Sequence, residues 1–147
     1  MTFLMKKLIP LIALVIFVYY AKQETQVVDR PVVSASAFAS QIGKTFARGD
    51  SGTQVSGRGN VSRILSDDKD GSRHQRFVLE LPSGQTVLIA HNIDLAPRIG
   101  GLSDGDDVFF HGEYEWNTEG GIVHWTHRDP NGRHAGGWLK HNGQRYD

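Results

Sequence analysis

The sequence predicts a mostly β protein: a small five-stranded OB-like antiparallel barrel with a C-terminal hairpin, preceded by an N-terminal transmembrane or signal helix and a short amphipathic helix. Three observations carry that expectation. From Gln54 onward apolar residues alternate with polar ones between regularly spaced turn signals, the first such segment is interrupted by glycines, and one uncharged run stands at the extreme N-terminus behind two lysines.

That run is the first element. Lys6 and Lys7 precede fourteen uncharged, mostly apolar residues from Leu8 to Ala21, and Lys22 follows them. The pattern is an export signal. Fourteen helical residues span about 21 Å, less than the ~30 Å hydrocarbon core, but Phe3, Leu4 and Met5 extend the run if the lysines snorkel. Tyr19 stands where a signal peptidase needs a small residue, which predicts an uncleaved anchor for 1–22. A cut further on, near Ala35 to Ala39, would make the protein secreted instead. By the positive-inside rule, everything after Lys22 lies on the periplasmic or extracytoplasmic side of the cell membrane, as a single-pass protein.

Residues 23–50 read as a linker. Gln23 to Ser34 is polar and contains Pro31, whereas Ser36 to Arg48 repeats Phe38, Ile42 and Phe46 every four residues, the spacing of a helix with one apolar face. That stripe suits packing on its own domain or docking a protein partner.

The barrel is expected over 51–147. Its first strand, Gln54 to Leu65, places Val55, Val61 and Leu65 on one face with Gly57 and Gly59, and glycines there let a strand coil and close a barrel. The acidic turn DDKDG leads to a second strand with Phe77, Leu79 and Leu81 alternating, and Pro82-Ser83-Gly84 turns it into a third, Gln85 to His91. DDKDG lacks the spaced ligands and terminal glutamate of a calcium loop, so it is read as a hairpin turn. Asn92 to Ile99, with Pro97, breaks the alternation as a helical turn or ordered loop. A long fourth strand, Leu102 to Trp116, puts Val108, Phe110, Gly112, Tyr114 and Trp116 on one face, making Trp116 a core residue. Asn117 to Gly121 turns the chain into a fifth strand, Ile122 to His127, and Asn142-Gly143 marks a hairpin between Trp138 and Tyr146. An SH3-like barrel is the main rival architecture.

The runs HQRFVLELPSGQTVLIAHNIDLAPRI, GDDVFFHGEYEWN and GGIVHWTHRDPNGRHAGGWLKHNGQRY resemble the bacterial family called domain of unknown function 3465, over Val55 to Tyr146. The resemblance implies an N-terminal export signal and no particular activity.

Composition narrows the chemistry. With no cysteine there is no disulfide, thiolate metal site or cysteine nucleophile. Leaving out Lys6, Lys7 and Lys22, 13 Lys and Arg face 16 Asp and Glu, so a mildly acidic exported domain ranks low for nucleic acid.

All seven histidines lie between His74 and His141, several of them at expected strand ends. His91, His124, His127, Asp129 and His134 are the candidate ligands of a divalent metal such as zinc, should those ends meet at one rim. His124 and His127 point to opposite faces of a continuous strand and converge only if it breaks near Thr126. Two function classes follow. The first is a ligand- or partner-binding module for an envelope glycan or protein, with His91, Asn92, Asp94, Trp125, Arg128 and Arg133 as binding candidates. The alternative is a metal-dependent hydrolase of the phosphodiesterase or nuclease kind. Glu113 and Glu115, on the face shared with Phe109 and His111, read as a solvated surface rather than a catalytic pair.

Overall fold

The computed structural model describes residues 35–147, and the expected anchor over 1–22 and residues 23–34 of the linker fall outside them. Among the described residues no helix is long and apolar enough to cross a membrane. The described residues fall within one compact unit.

The amphipathic stripe forms a helix, α1 (Ala35–Arg48), which Gly49 ends in a left-handed conformation with its N–H on the Phe46 carbonyl at 3.0 Å. Ile42 is 0% exposed and belongs to the barrel core, with Phe46 packed against it. Its apolar face is therefore occupied by its own domain; the side chain of Phe38 is outside the description.

Seven strands follow: β1 (Thr53–Ile64), β2 (His74–Glu80), β3 (Thr86–Asn92), β4 (Asp107–Glu115), β5 (Ile122–His124), β6 (Trp138–His141) and β7 (Gln144–Tyr146). β1 is long enough to serve two partners. Thr53 to Asn60 pairs with β4 and Asn60 to Ile64 with β2, so the order β1-β2-β3-β5-β4 closes on itself. The result is a five-stranded barrel in which every pairing is antiparallel except β3 with β5.

Closure depends on the glycines of β1. A Cβ on Gly57 would lie 2.3 Å from the Phe110 ring, and one on Gly59 would lie 2.7 Å from the Glu80 carbonyl oxygen. The alternation reads through the barrel as expected: Val55, Val61, Phe77, Leu79, Val87, Ile89, Val108, Phe110, Tyr114 and Val123 fill one core.

Trp116 departs from expectation. β4 ends at Glu115, so period-two alternation no longer governs the next side chain, and Trp116 is 41% exposed rather than core. Its ring stacks on Phe46 at 6.3 Å and its indole N–H donates to the Phe46 carbonyl at 3.1 Å, fastening α1 to the barrel.

The fifth strand is shorter than the alternation implied, stopping at His124. One edge of β4 accommodates both β5, opposite Glu113 to Glu115, and β6, opposite Val108 to His111. The chain between them, 125–137, must leave β5 and return beside it within one strand's width. Gly137 makes that return: its N–H donates to the His127 carbonyl at 2.8 Å, and a Cβ there would lie 2.1 Å from the Trp125 carbonyl oxygen. The final hairpin turns on Asn142 and Gly143, both at positive φ, as a two-residue turn of this hand requires.

Candidate functional site

The histidine-rich stretch has an inner and an outer part, and the backbone at Trp125 separates them. Trp125 adopts φ 50°, a left-handed conformation uncommon for a large aromatic residue, which breaks the strand one residue after His124. Thr126 and His127 beyond it turn into the protein.

His91, on β3, is 0% exposed. Its Nε2 lies 3.0 Å from the Pro97 carbonyl, which can only accept, so Nε2 carries the proton and Nδ1 accepts from the Thr126 hydroxyl at 2.8 Å. Burial lowers its pKa to about 4, against the opposing pull of the Pro97 carbonyl, so the ring is neutral at pH 7. Both nitrogens are occupied. His91 ties β3, its following loop and the end of β5 together.

His127, 3% exposed, donates from Nδ1 to the Arg128 carbonyl at 2.7 Å. Asp129 accepts the N–H groups of Asn131 at 2.9 Å, Arg133 at 2.6 Å and His134 at 2.8 Å. Those bonds, led by Asn131, hold its carboxyl below the usual range. Asp129 is thus the internal cap of its loop.

The expected five-membered ligand set therefore does not assemble. His91 and Asp129 spend their polar atoms on structure and His127 spends its Nδ1; the break at Trp125 lets His124 and His127 line one hollow, but the acidic neighbours of His124 are Glu113 and Glu115. Among the binding candidates, Asn92 accepts the Asp94 N–H at 2.9 Å, and Asp94 accepts the backbone N–H and Nε–H of Arg73 at 2.7 and 2.6 Å. Arg128 pairs with Asp147 at 2.9 Å, and Arg133 is exposed on the capped loop.

The outer part gathers a different group. Glu113 and Glu115 are two residues apart on β4 and share a face, and the antiparallel register sets His124 directly opposite Glu113. His124 Nε2 lies 3.7 Å from Glu113 Oε1 and 3.7 Å from Glu115 Oε1, too far for hydrogen bonds. The loop capped by Asp129 delivers His134 from the other side, with Nε2 3.4 Å from Glu113 Oε2. Trp125 stacks flat on the His134 ring, 4.0 Å between centroids at 4°.

Nε2 of His124 and Nδ1 of His134 are out of contact with solvent and have no hydrogen-bond partner among the described residues. Desolvation lowers the His124 pKa despite the pull of Glu113 and Glu115. One ligand atom each from Glu113, Glu115 and His124 can be chosen so that all lie within 4.8 Å of one another.

The cluster borders a groove on the outer face of β2, β3 and β5. One hollow of about 260 Å³ is lined by Ser72, His74, Leu95, Trp125 and His127, and a neighbouring one of about 330 Å³ by Asp68, Arg76, Glu115 and Ile122. Both share His74, Ala90 and His124.

Alternation alone treated Glu113 and Glu115 as solvated. The signal that finds them is the turn: pairing the strands symmetrically about Asn117 to Gly120, where the Gly120 N–H meets the Asn117 carbonyl, puts His124 opposite Glu113.

Fold and site together define a small closed OB-like barrel carrying an acid–imidazole cluster beside a groove on its outer face. The chain belongs to the family described as "Protein of unknown function (DUF3465)", whose model matches residues 27–147. No curated protein matches it.

Proposed function

We propose that this protein is a membrane-tethered, envelope-facing binding module that takes its ligand in the groove across β2, β3 and β5. The observation that carries this reading is the pair of adjoining hollows centred on His74, Ala90 and His124, with Trp125 on one wall and Arg76 and Glu115 on the other. A concave strip with one aromatic and several polar tips is the usual form of a site for a polar, ring-containing ligand. The export signal and the mild acidity after Lys22 favour an envelope glycan over nucleic acid.

The test is a titration of the ¹⁵N-labelled protein with soluble N-acetylglucosamine oligosaccharides. Shifts concentrated at His74, Ala90 and Trp125 are expected, and Trp125→Ala should remove them. An unchanged spectrum at millimolar sugar would overturn the glycan reading. Protease accessibility from outside the inner membrane tests the envelope placement separately, since a domain on that side is cleaved without lysis.

Metal-dependent phosphodiester hydrolysis is the second reading. What favours it is the Glu113, Glu115 and His124 group on the rim of the same groove, with Arg76 in the adjoining wall to meet a phosphate. Turnover of a chromogenic phosphodiester with added divalent ions, lost in Glu115→Gln, tests it.

A further inference from the structure

We infer that Glu113, Glu115 and His124 form a binding site for a single first-row divalent cation, best matched by Zn²⁺. The inference stands apart from whether the groove binds a sugar or cleaves a phosphodiester.

The first argument is geometric. Zinc bonds nitrogen and oxygen at about 2.0–2.2 Å, so neighbouring ligands of a tetrahedral ion sit roughly 3.3 Å apart. His124 Nε2 is 3.7 Å from each carboxylate, and the three ligand atoms fall within 4.8 Å of one another. Small rotations of glutamate side chains close that difference. The backbone supplies the rest: Glu113 and Glu115 are fixed on one face of β4, and His124 is fixed opposite Glu113 by the β4–β5 register.

The second argument is the hydrogen-bond account. Elsewhere among the described residues no shielded imidazole nitrogen lacks a partner: His91 is bonded at both nitrogens, at 2.8 and 3.0 Å, and His111 with Ser56 at 2.7 Å, His127 at 2.7 Å and His141 with Asp106 at 2.9 Å are bonded at one each. Nε2 of His124 and Nδ1 of His134 break that pattern, being shielded and without partners. A buried nitrogen facing two carboxylates without a bond to either is unfavourable as it stands. The two carboxylates also repel each other at this range, and a divalent cation offsets both penalties.

Ligand chemistry selects the ion. Imidazole with carboxylate suits zinc and its neighbours in the first transition row, whereas calcium and magnesium prefer all-oxygen shells. Three protein ligands leave a further coordination position, and Glu115 and His124 themselves line the groove.

The experiment is a calorimetric zinc titration of the full chain in mild detergent, repeated on Glu113→Gln, His124→Asn and, as a comparison, Glu80→Gln, an exposed carboxylate on β2 outside the groove. One saturable equivalent is expected in the parent and in Glu80→Gln, with affinity weakened at least about tenfold in the other two. Cobalt(II) in place of zinc should give the intense visible bands of a tetrahedral site. Absence of one-to-one binding to the folded parent, or undiminished binding in folded His124→Asn, would overturn the inference. Should either variant fail to fold, ring-¹⁵N spectra of the parent decide: a zinc-dependent shift of His124 Nε2 supports the site, and shifts confined to other histidines refute it. Zinc binding with no sugar binding leaves the site standing and removes the glycan reading; the reverse result does the opposite.

Discussion

Two groups of histidines interleaved along the chain, His91 and His127 against His124 and His134, are treated in opposite ways. His91 and His127 lie inside, with His91 bonded at both nitrogens and His127 at Nδ1, whereas His124 and His134 lie at the rim, each with a shielded nitrogen that nothing satisfies. The inner group ties β3 to the segments that follow β3 and β5; the outer group lies against two glutamates beside a groove. Histidine density by itself therefore says little about chemistry. What distinguishes the groups is whether the backbone has supplied a partner for each nitrogen.

The sharpest way to break the comparison is through the glycines that allow β5 and the following loop to approach β4. A Cβ at Gly112 would sit 2.4 Å from the His124 carbonyl oxygen, and one at Gly137 2.4 Å from that of His111. Both obstacles are backbone. Either alanine substitution should destabilise the domain by about 3 kcal/mol in urea unfolding, and Gly112→Ala should also disturb the His124 ring resonances. Gly100→Ala, where nothing lies near and φ is not positive, should be close to neutral.

Acid probes the inner group. The unfolded chain protonates His91 near its ordinary 6.5, but the folded chain does so only at about 4. Between those values the unfolded state binds more protons, so stability falls as pH drops through the window and is complete above it. The loss from this residue should be about 3 kcal/mol by pH 4. Urea midpoints measured across pH 4 to 7.5 check it, and His91→Gln, already destabilised, should show a shallower slope.

Asp129 connects the two groups, because its carboxylate fixes the loop that carries His134 towards Glu113. Asp129→Ala should lower the urea midpoint through loss of three backbone partners. It should also broaden the His134 resonances while leaving His91 unchanged. A smaller effect is expected at Trp116, where replacement by phenylalanine keeps the stack on Phe46 but removes the bond to its carbonyl. About 1 kcal/mol in thermal unfolding is expected, with no change in zinc binding.

The barrel was legible in the sequence because burial imposes period two on its strands and because Gly57, Gly59 and Asn142-Gly143 mark bends that other residues resist. The site was legible only in part. His124 and His134 stood out by composition, but Glu113 and Glu115 looked like a wet strand face, since alternation reports which side a residue faces and not what faces it. Trp116 was misplaced because alternation was carried one residue beyond the strand's end. The positive φ of Trp125 is a consequence of β5 stopping beside β6, a tertiary fact that local sequence does not encode.

The division between an inner, bonded group and an outer, available one can be read directly from histidine side-chain ¹⁵N spectra recorded with and without one equivalent of zinc. His91 should appear as a neutral ring protonated on Nε2 and be indifferent to the metal, while Nε2 of His124 shifts on zinc addition. Movement of His91 or His127 with His124 unaffected would contradict the account.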